Sequence, residues 1–279
     1  MDDASNRAQP STMSDRGLSP TAGSADGQAP FSLHLSNAGH GLIILCDHAE
    51  NTLPAPYGTL GLPREQLERH IGFDIGAKGL CQKLAAALDA TLVMSKFSRL
   101  LIDPNRGIDD PTLIMRLSDG AVVPGNARHT PKERAHRIEH YYRPYDDAIS
   151  RAIDHVHHVT GRPAVLLSIH SFTPHWRGVA RPWHAGVLWD KDARLARPLI
   201  ERLSASGDIV VGDNEPYTGE LPGDTMNRHG TVKGLPHALL EVRQDLIADG
   251  GGIDAWARRL TPLVEAIVAD RAIRMPLVE

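Results

Sequence analysis

Three short apolar runs constrain this chain more than any other feature: GLIILC (41–46), AVLLSI (164–169) and ALLEV (238–242). None shows the apolar/polar alternation of a strand with one face in water. Such runs read as strands buried on both faces, which requires a sheet covered by helices on either side. The intervening segments fit that reading. DIGAKGLCQKLAAALDA (74–90) places Ala77, Leu80, Leu84, Ala87 and Leu88 on one helical face. Residues 130–161 have Thr130 as N-cap, Pro131 at the first helical position, Glu133 to complete a capping box and Gly161 as a stop. Pro144 predicts a kink within them. Further helices are predicted over 64–70, 192–205 and 256–270, and further strands over 91–95, 99–103, 186–189 and 208–212. Strands alternating with helices give an α/β fold.

Residues 1–35 are rich in Ser, Ala, Gly, Asp and Pro and carry too little apolar surface to offset the entropy of ordering. They are predicted to be a disordered tail, with the folded part beginning near Gly41. The net charge of -4 comes with no basic stripe, which excludes an ordinary nucleic-acid binder. No apolar run reaches the ~18 residues of a membrane span. The opening residues are acidic and lack the apolar segment of a secretory signal. Cys46 and Cys81 both fall in apolar segments and read as buried, reduced thiols. Together these features predict a cytoplasmic protein.

Each apolar run leads directly into side chains that carry chemistry. GLIILC runs into Asp47 and His48, AVLLSI into His170 and Ser171, and ALL into Glu241 and Arg243. Sheets of this class build their sites beyond the carboxyl ends of strands. With 15 histidines in the chain a single one means little. His48 and His170 stand apart because each ends an apolar strand, and both metal ligation and structural hydrogen bonding remain open for them. Asp74 is either the N-cap of the 74–90 helix or a carboxylate completing a His/Asp/His site. Three protein ligands and a water make the open catalytic arrangement typical of zinc. The same donors also suit iron, cobalt or manganese.

CDHAEN, RHIGFDIGA, SRLLIDPNR, SIHSFTP, NEPYTG and EVRQDLI, in that order from Leu42 to Ile247, resemble the N-formylglutamate amidohydrolase family. The order is also similar to that of zinc-dependent N-acetylmuramoyl-L-alanine amidases: a His, an acidic residue opening a helix, Ser-x-His, then a strand-borne Glu. The first motif departs from the family, which is expected to carry a Pro-His-Ser-Gly-type sequence where this chain has Asp47-His48-Ala49-Glu50-Asn51. That departure marks a divergent branch.

The resemblance implies a three-layer α/β/α fold with a central mixed sheet, similar to the zinc exopeptidases, with residues 36–279 as the catalytic domain. It implies a divalent metal, zinc above others, on His48, Asp74 and His170. The substrate it implies is a small acidic N-acyl amino acid, with no nucleic-acid or membrane partner; the alternatives are a zinc amidase or peptidase on another acyl substrate, or a metal-free binding protein on the same scaffold. Glu241 is the expected proton shuttle, the alternative being a buried Glu paired with Arg243, which faces the same side of the strand. Arg99, Arg106 and Arg243 are candidate forks for a substrate carboxylate, unless Arg99 or Arg106 pairs with Asp103 to fix its loop. Asn105 is a substrate candidate that also suits holding that loop, and Ser171 is a further substrate candidate. Residues 214–219, followed by His229, are expected to form a loop over the site. His229 reads equally as an oxyanion or substrate contact and as a plain loop residue.

Overall fold

The computed structural model describes residues 29–275. Its seven sheet strands are β1 (Phe31–His34), β2 (Leu42–Cys46), β3 (Thr91–Ser95), β4 (Val165–Phe172), β5 (Ala185–Leu188), β6 (Val211–Asp213) and β7 (His237–Arg243). Four long helices accompany them: α1 (Ala77–Leu88), α2 (Arg143–Thr160), α3 (Ala196–Ser204) and α4 (Gly250–Ala269). The strand order is β1-β3-β2-β4-β7-β5-β6. β3, β2, β4 and β7 run parallel, while β1 is antiparallel to β3, and β5 is antiparallel to β7. The sheet is therefore mixed.

Alternation along the strands splits the core in two. Leu42, Ile44, Val165, Leu167, Leu240 and Val242 face α1, α3 and α4. Ile43, Leu45, Val93 and Leu166 face α2, with Tyr145, Ile149 and Ala152 packed on them. This is the three-layer α/β/α arrangement. Every residue of β2, β3 and β4 is buried, as the unbroken apolar runs require. Cys46 and Cys81 are buried and free.

Several elements differ from expectation. Residues 1–28 of the predicted tail lie outside the described residues, but 31–34 form the edge strand β1. The apolar side chains Phe31 and Leu33 pack against the α2-side core, and that contact orders a segment whose composition reads as a tail. Residues 99–103 are not a strand. Ser98 Oγ donates to Gly72 O, and Leu101 N donates to Ser98 O, so the chain turns there. Leu100, Leu101 and Ile102 are buried in that turn, which explains why the segment resembles a strand. On α1, Cys81 and Ala85 join the buried face, and Ala87 is exposed.

The predicted helix over 130–161 is continuous but not uniform. Thr130 caps it by accepting from Glu133 N, yet the Glu133 carboxylate binds Arg137 at 2.7 Å and does not close the capping box. A π-helical turn at Ile138–Tyr142 separates Pro131–Arg137 from α2. Pro144, just beyond it, has no N–H for the regular ladder, and the wider turn accommodates that loss.

Candidate metal and catalytic site

The site forms where β2, β4 and β7 end. Leu45 pairs with Ser168 and His170 with Glu241, so the residues following β2 and the ends of β4 and β7 share one sheet edge. Asp74 reaches the same edge from the loop before α1. Its backbone N–H donates to His48 O at 3.0 Å, which pins the two residues side by side. The helix starts only at Ala77, with Gly76 in the left-handed region at its N-cap. Asp74 therefore does not cap the helix as the sequence reading allowed, and its carboxylate is free to turn into the site. A Cβ on Gly76 would lie 2.1 Å from the carbonyl oxygen of Ile247, so no other residue fits there.

His48, Asp74 and His170 each offer one ligand atom within 4.8 Å of the others. Asp74 Oδ2 sits 3.3 Å from His48 Nδ1 and 2.7 Å from His170 Nδ1. The far nitrogen of each ring is held by its own carboxylate: His48 Nε2 by Asp103 Oδ1 at 2.7 Å, and His170 Nε2 by Asp47 Oδ2 at 3.0 Å. Carboxylates placed there keep the proton on Nε2 and leave the Nδ1 lone pair for a cation, the usual support for metal-binding imidazoles. Two imidazoles and one carboxylate, all buried, form a donor set that fits a divalent ion such as zinc.

Asp47 is itself fully engaged. Oδ1 accepts from Tyr145 Oη and Thr225 Oγ1, and Oδ2 from Ser168 Oγ and His170 Nε2. Burial works against its charge, but His170 and Thr225 hold its pKa well below the ordinary carboxylate value. Asp103 is lowered in the same way, burial again opposing, by Arg99 and His48. For His170, burial opposes protonation, and Asp47 and Asp74 more than compensate, so its pKa is raised. His48 is raised too, against burial and Arg99, by Asp103 and Asp74.

These groups open into a cavity of about 380 Å³ lined by His48, Asp74, His170, Ser171, Arg99, Asn105, Arg106 and Glu241, among others. Glu241 is 7% exposed, and its Oε2 has no hydrogen-bond partner. Burial, helped by Asp74, pushes its carboxyl up to about 7, while His170, Arg99 and His48 restrain the rise. It does not pair with Arg243. Arg106 also lines the cavity, with its Nε buried and unpartnered. Ser171 Oγ is in the same condition, while its backbone N–H faces Asp74 Oδ2 at 3.4 Å.

Arg99 spends its guanidinium on protein, with Nε and Nη2 on Asp103 Oδ2 and Nη1 on Asp74 Oδ1. Asn105 receives Thr225 N on its Oδ1, and its own N–H binds Asp103, so both residues shape the loop. The structure does not bring Arg243 or His229 to the cavity. Arg243 binds Asp245 and the carbonyls of Arg181 and Trp183. His229 is buried in a π-helical turn, Asn227–Thr231, with Nε2 on Asp146. Tyr217 and Thr218, from the loop expected over the site, do line the cavity. The sequence reading named Asp47 after the β2 run but gave it no role, and it passed over Asp224, which also lines the cavity.

The model of the family described as N-formylglutamate amidohydrolase matches residues 40–248. Among solved structures, the gene product Atu2144 from Agrobacterium tumefaciens is 33% identical, with a TM-score of 0.81 over 86% of this chain and 95% of that one. The N-formylglutamate amidohydrolase from Ralstonia eutropha JMP134 is 24% identical, with a TM-score of 0.71 over 86% of this chain and 98% of that one, and shares the fold. No curated protein matches the chain.

Proposed function

The chain belongs to the N-formylglutamate amidohydrolase family, and from that premise we propose that it hydrolyses the amide bond of an N-acyl, specifically N-formyl, acidic amino acid. The observation that carries this reading is the convergence of His48 Nδ1, His170 Nδ1 and Asp74 Oδ2 beside the unpartnered carboxylate of Glu241. A divalent metal held by those three atoms, zinc by donor type, would supply Lewis acidity, polarising the acyl carbonyl and easing ionisation of water.

The remaining chemistry belongs to the chain. Glu241, with its carboxyl raised to about 7, is suited to take a proton from the attacking water and return it to the leaving amine. Its Oε2 has no competing partner. Arg106 presents a fork without an ion pair among the described residues, and it would hold a carboxylate of the amino-acid half. The Ser171 hydroxyl is free to donate to the acyl oxygen. Asp47 and Asp103 orient the two imidazoles, and Arg99 locks Asp103 and Asp74 in place. Phe172, Trp176, Leu188 and Tyr217 supply the apolar part of the wall around these groups. The two free thiols accord with a cytoplasmic site of action.

The test is a screen of N-formyl and N-acetyl amino acids against the purified protein with zinc, iron, cobalt or manganese added. Metal-dependent release of formate from an acidic N-formyl amino acid is expected. Turnover that is equal with and without chelator would refute the metal-assisted reading.

A further inference from the structure

Arg106 can hold one carboxylate, and an acidic amino acid has two. A second cation is therefore the feature to look for around the cavity. His70 lines it, but burial lowers its pKa, and its Nε2 already faces Asp119 at 3.3 Å. Arg99 is committed to Asp74 and Asp103.

The remaining candidate stands directly behind the cavity wall. Phe172, Trp176 and Tyr217 all line the cavity, and all three rings face the guanidinium of Arg181. Its Cζ lies 5.5 Å from the Phe172 centroid, 5.5 Å from that of Trp176 and 5.0 Å from that of Tyr217. Nη1 donates to the carbonyl and the hydroxyl of Thr173, another wall residue. The placement is built by the backbone. A hairpin of His175–Trp176 with Val179–Ala180 turns through Arg177 and Gly178, both at positive φ, and Arg181 N closes it on Pro174 O.

Arg181 is only 8% exposed and has no carboxylate at ion-pair distance among the described residues. The comparably buried Arg137, and Arg194, Arg228 and Arg243, each meet an acidic side chain. Aromatic faces attract a guanidinium, yet they do not neutralise it. A buried cation with no counter-ion among the described residues, close to three rings that line a cavity, is poised to receive an anion from that cavity.

We propose that Arg181 is the specificity residue that meets the side-chain carboxylate of the substrate, while Arg106 meets the α-carboxylate. This rests on the amidohydrolase reading for its substrate and on the cavity geometry for its site. Asp224 also lines the cavity, but it forms no ion pair with Arg181, and its Oδ1 accepts from Asn227 N.

The test compares N-formyl-L-glutamate with N-formyl-L-glutamine, which match in size and differ in side-chain charge. The zinc-loaded wild type prefers the glutamate compound. Arg181→Gln lowers kcat/KM for the glutamate compound about 10–100-fold more than for the glutamine compound, the loss of one charge-assisted bond. Arg181→Lys, which keeps the charge, retains part of the preference and serves as the fold control. Equal losses on both compounds, or no preference in the wild type, would overturn the proposal and leave Arg181 as packing for its three rings. Calorimetric binding of glutarate decides the point without turnover. Weaker glutarate binding in Arg181→Gln than in wild type supports the clamp even if no N-acyl amino acid is hydrolysed. Equal binding overturns it even if hydrolysis is found.

Discussion

Asp47→Asn is the substitution whose effects are tied most directly to the geometry. The wild-type carboxylate accepts four hydrogen bonds, two on each oxygen. An amide keeps the shape but replaces one accepting oxygen with a donor. The hydroxyls of Ser168, Tyr145 and Thr225 can rotate to accept from it. The amide nitrogen therefore takes the side of Tyr145 and Thr225, and the amide oxygen keeps His170 Nε2–H without the charge that strengthened the bond. The neutral partner supports the imidazole less, and loss of such a supporting carboxylate typically costs 10–100-fold in metal affinity. The metal-free fold should also lose about 1.5–3 kcal/mol, the worth of one hydrogen bond to a charged group. The pH dependence of that loss has a definite sign. Asp47 is lowered, so its contribution is present above the unfolded value of about 3.9 and disappears as pH falls through the folded value. His170 is raised, so its contribution is complete below about 6.5 and disappears as pH rises through the folded value. The stability gap between wild type and variant is thus widest from about pH 4 to about pH 6.5 and narrows on both sides. Chelator competition measures the affinity, and urea unfolding across pH measures the gap. Wild-type metal affinity in Asp47→Asn would show that this carboxylate does not orient His170.

Two further substitutions separate substrate binding from proton transfer. Arg106→Ala should raise KM for an acidic substrate about 10–100-fold, the loss of one charge-assisted bond, and leave metal content unchanged; unaltered kinetics with the fold intact would reduce Arg106 to a loop residue. Glu241→Gln keeps the size and removes the basicity, so turnover should fall about 10²–10⁴-fold with metal content and thermal stability retained. Loss of the metal in that variant would instead make Glu241 a ligand.

The sequence made the sheet core and the sheet edge legible for one physical reason. A strand buried on both faces must be apolar throughout, so the first polar residue beyond it marks where the sheet ends, as Asp47 and His48 do after β2. Burial away from the sheet defeats the same rule, and Leu100 to Ile102 were therefore misread as a strand. The edge strand β1 was hidden because four residues, three half-buried and one exposed, do not stand out from a polar tail. Asp74 was read as a candidate ligand with a helix cap as the alternative, and chain order alone could not choose between them, because it does not show that the Asp74 N–H binds His48 O. Contacts set by the tertiary fold were the least legible. Nothing in the local sequence indicates that His229 turns to Asp146 or that Arg181 lies among three rings, whereas Arg243 simply turns to Asp245, two residues on.

The central claim is that His48, Asp74 and His170 hold one divalent ion. Elemental analysis of the purified protein after zinc loading and desalting tests it most directly, with His170→Ala prepared in parallel. About one equivalent is expected in the wild type, and loss of most of it is expected in the variant, because two remaining donors do not make a closed set. Full occupancy in His170→Ala, or no retained ion in either protein, would contradict that claim.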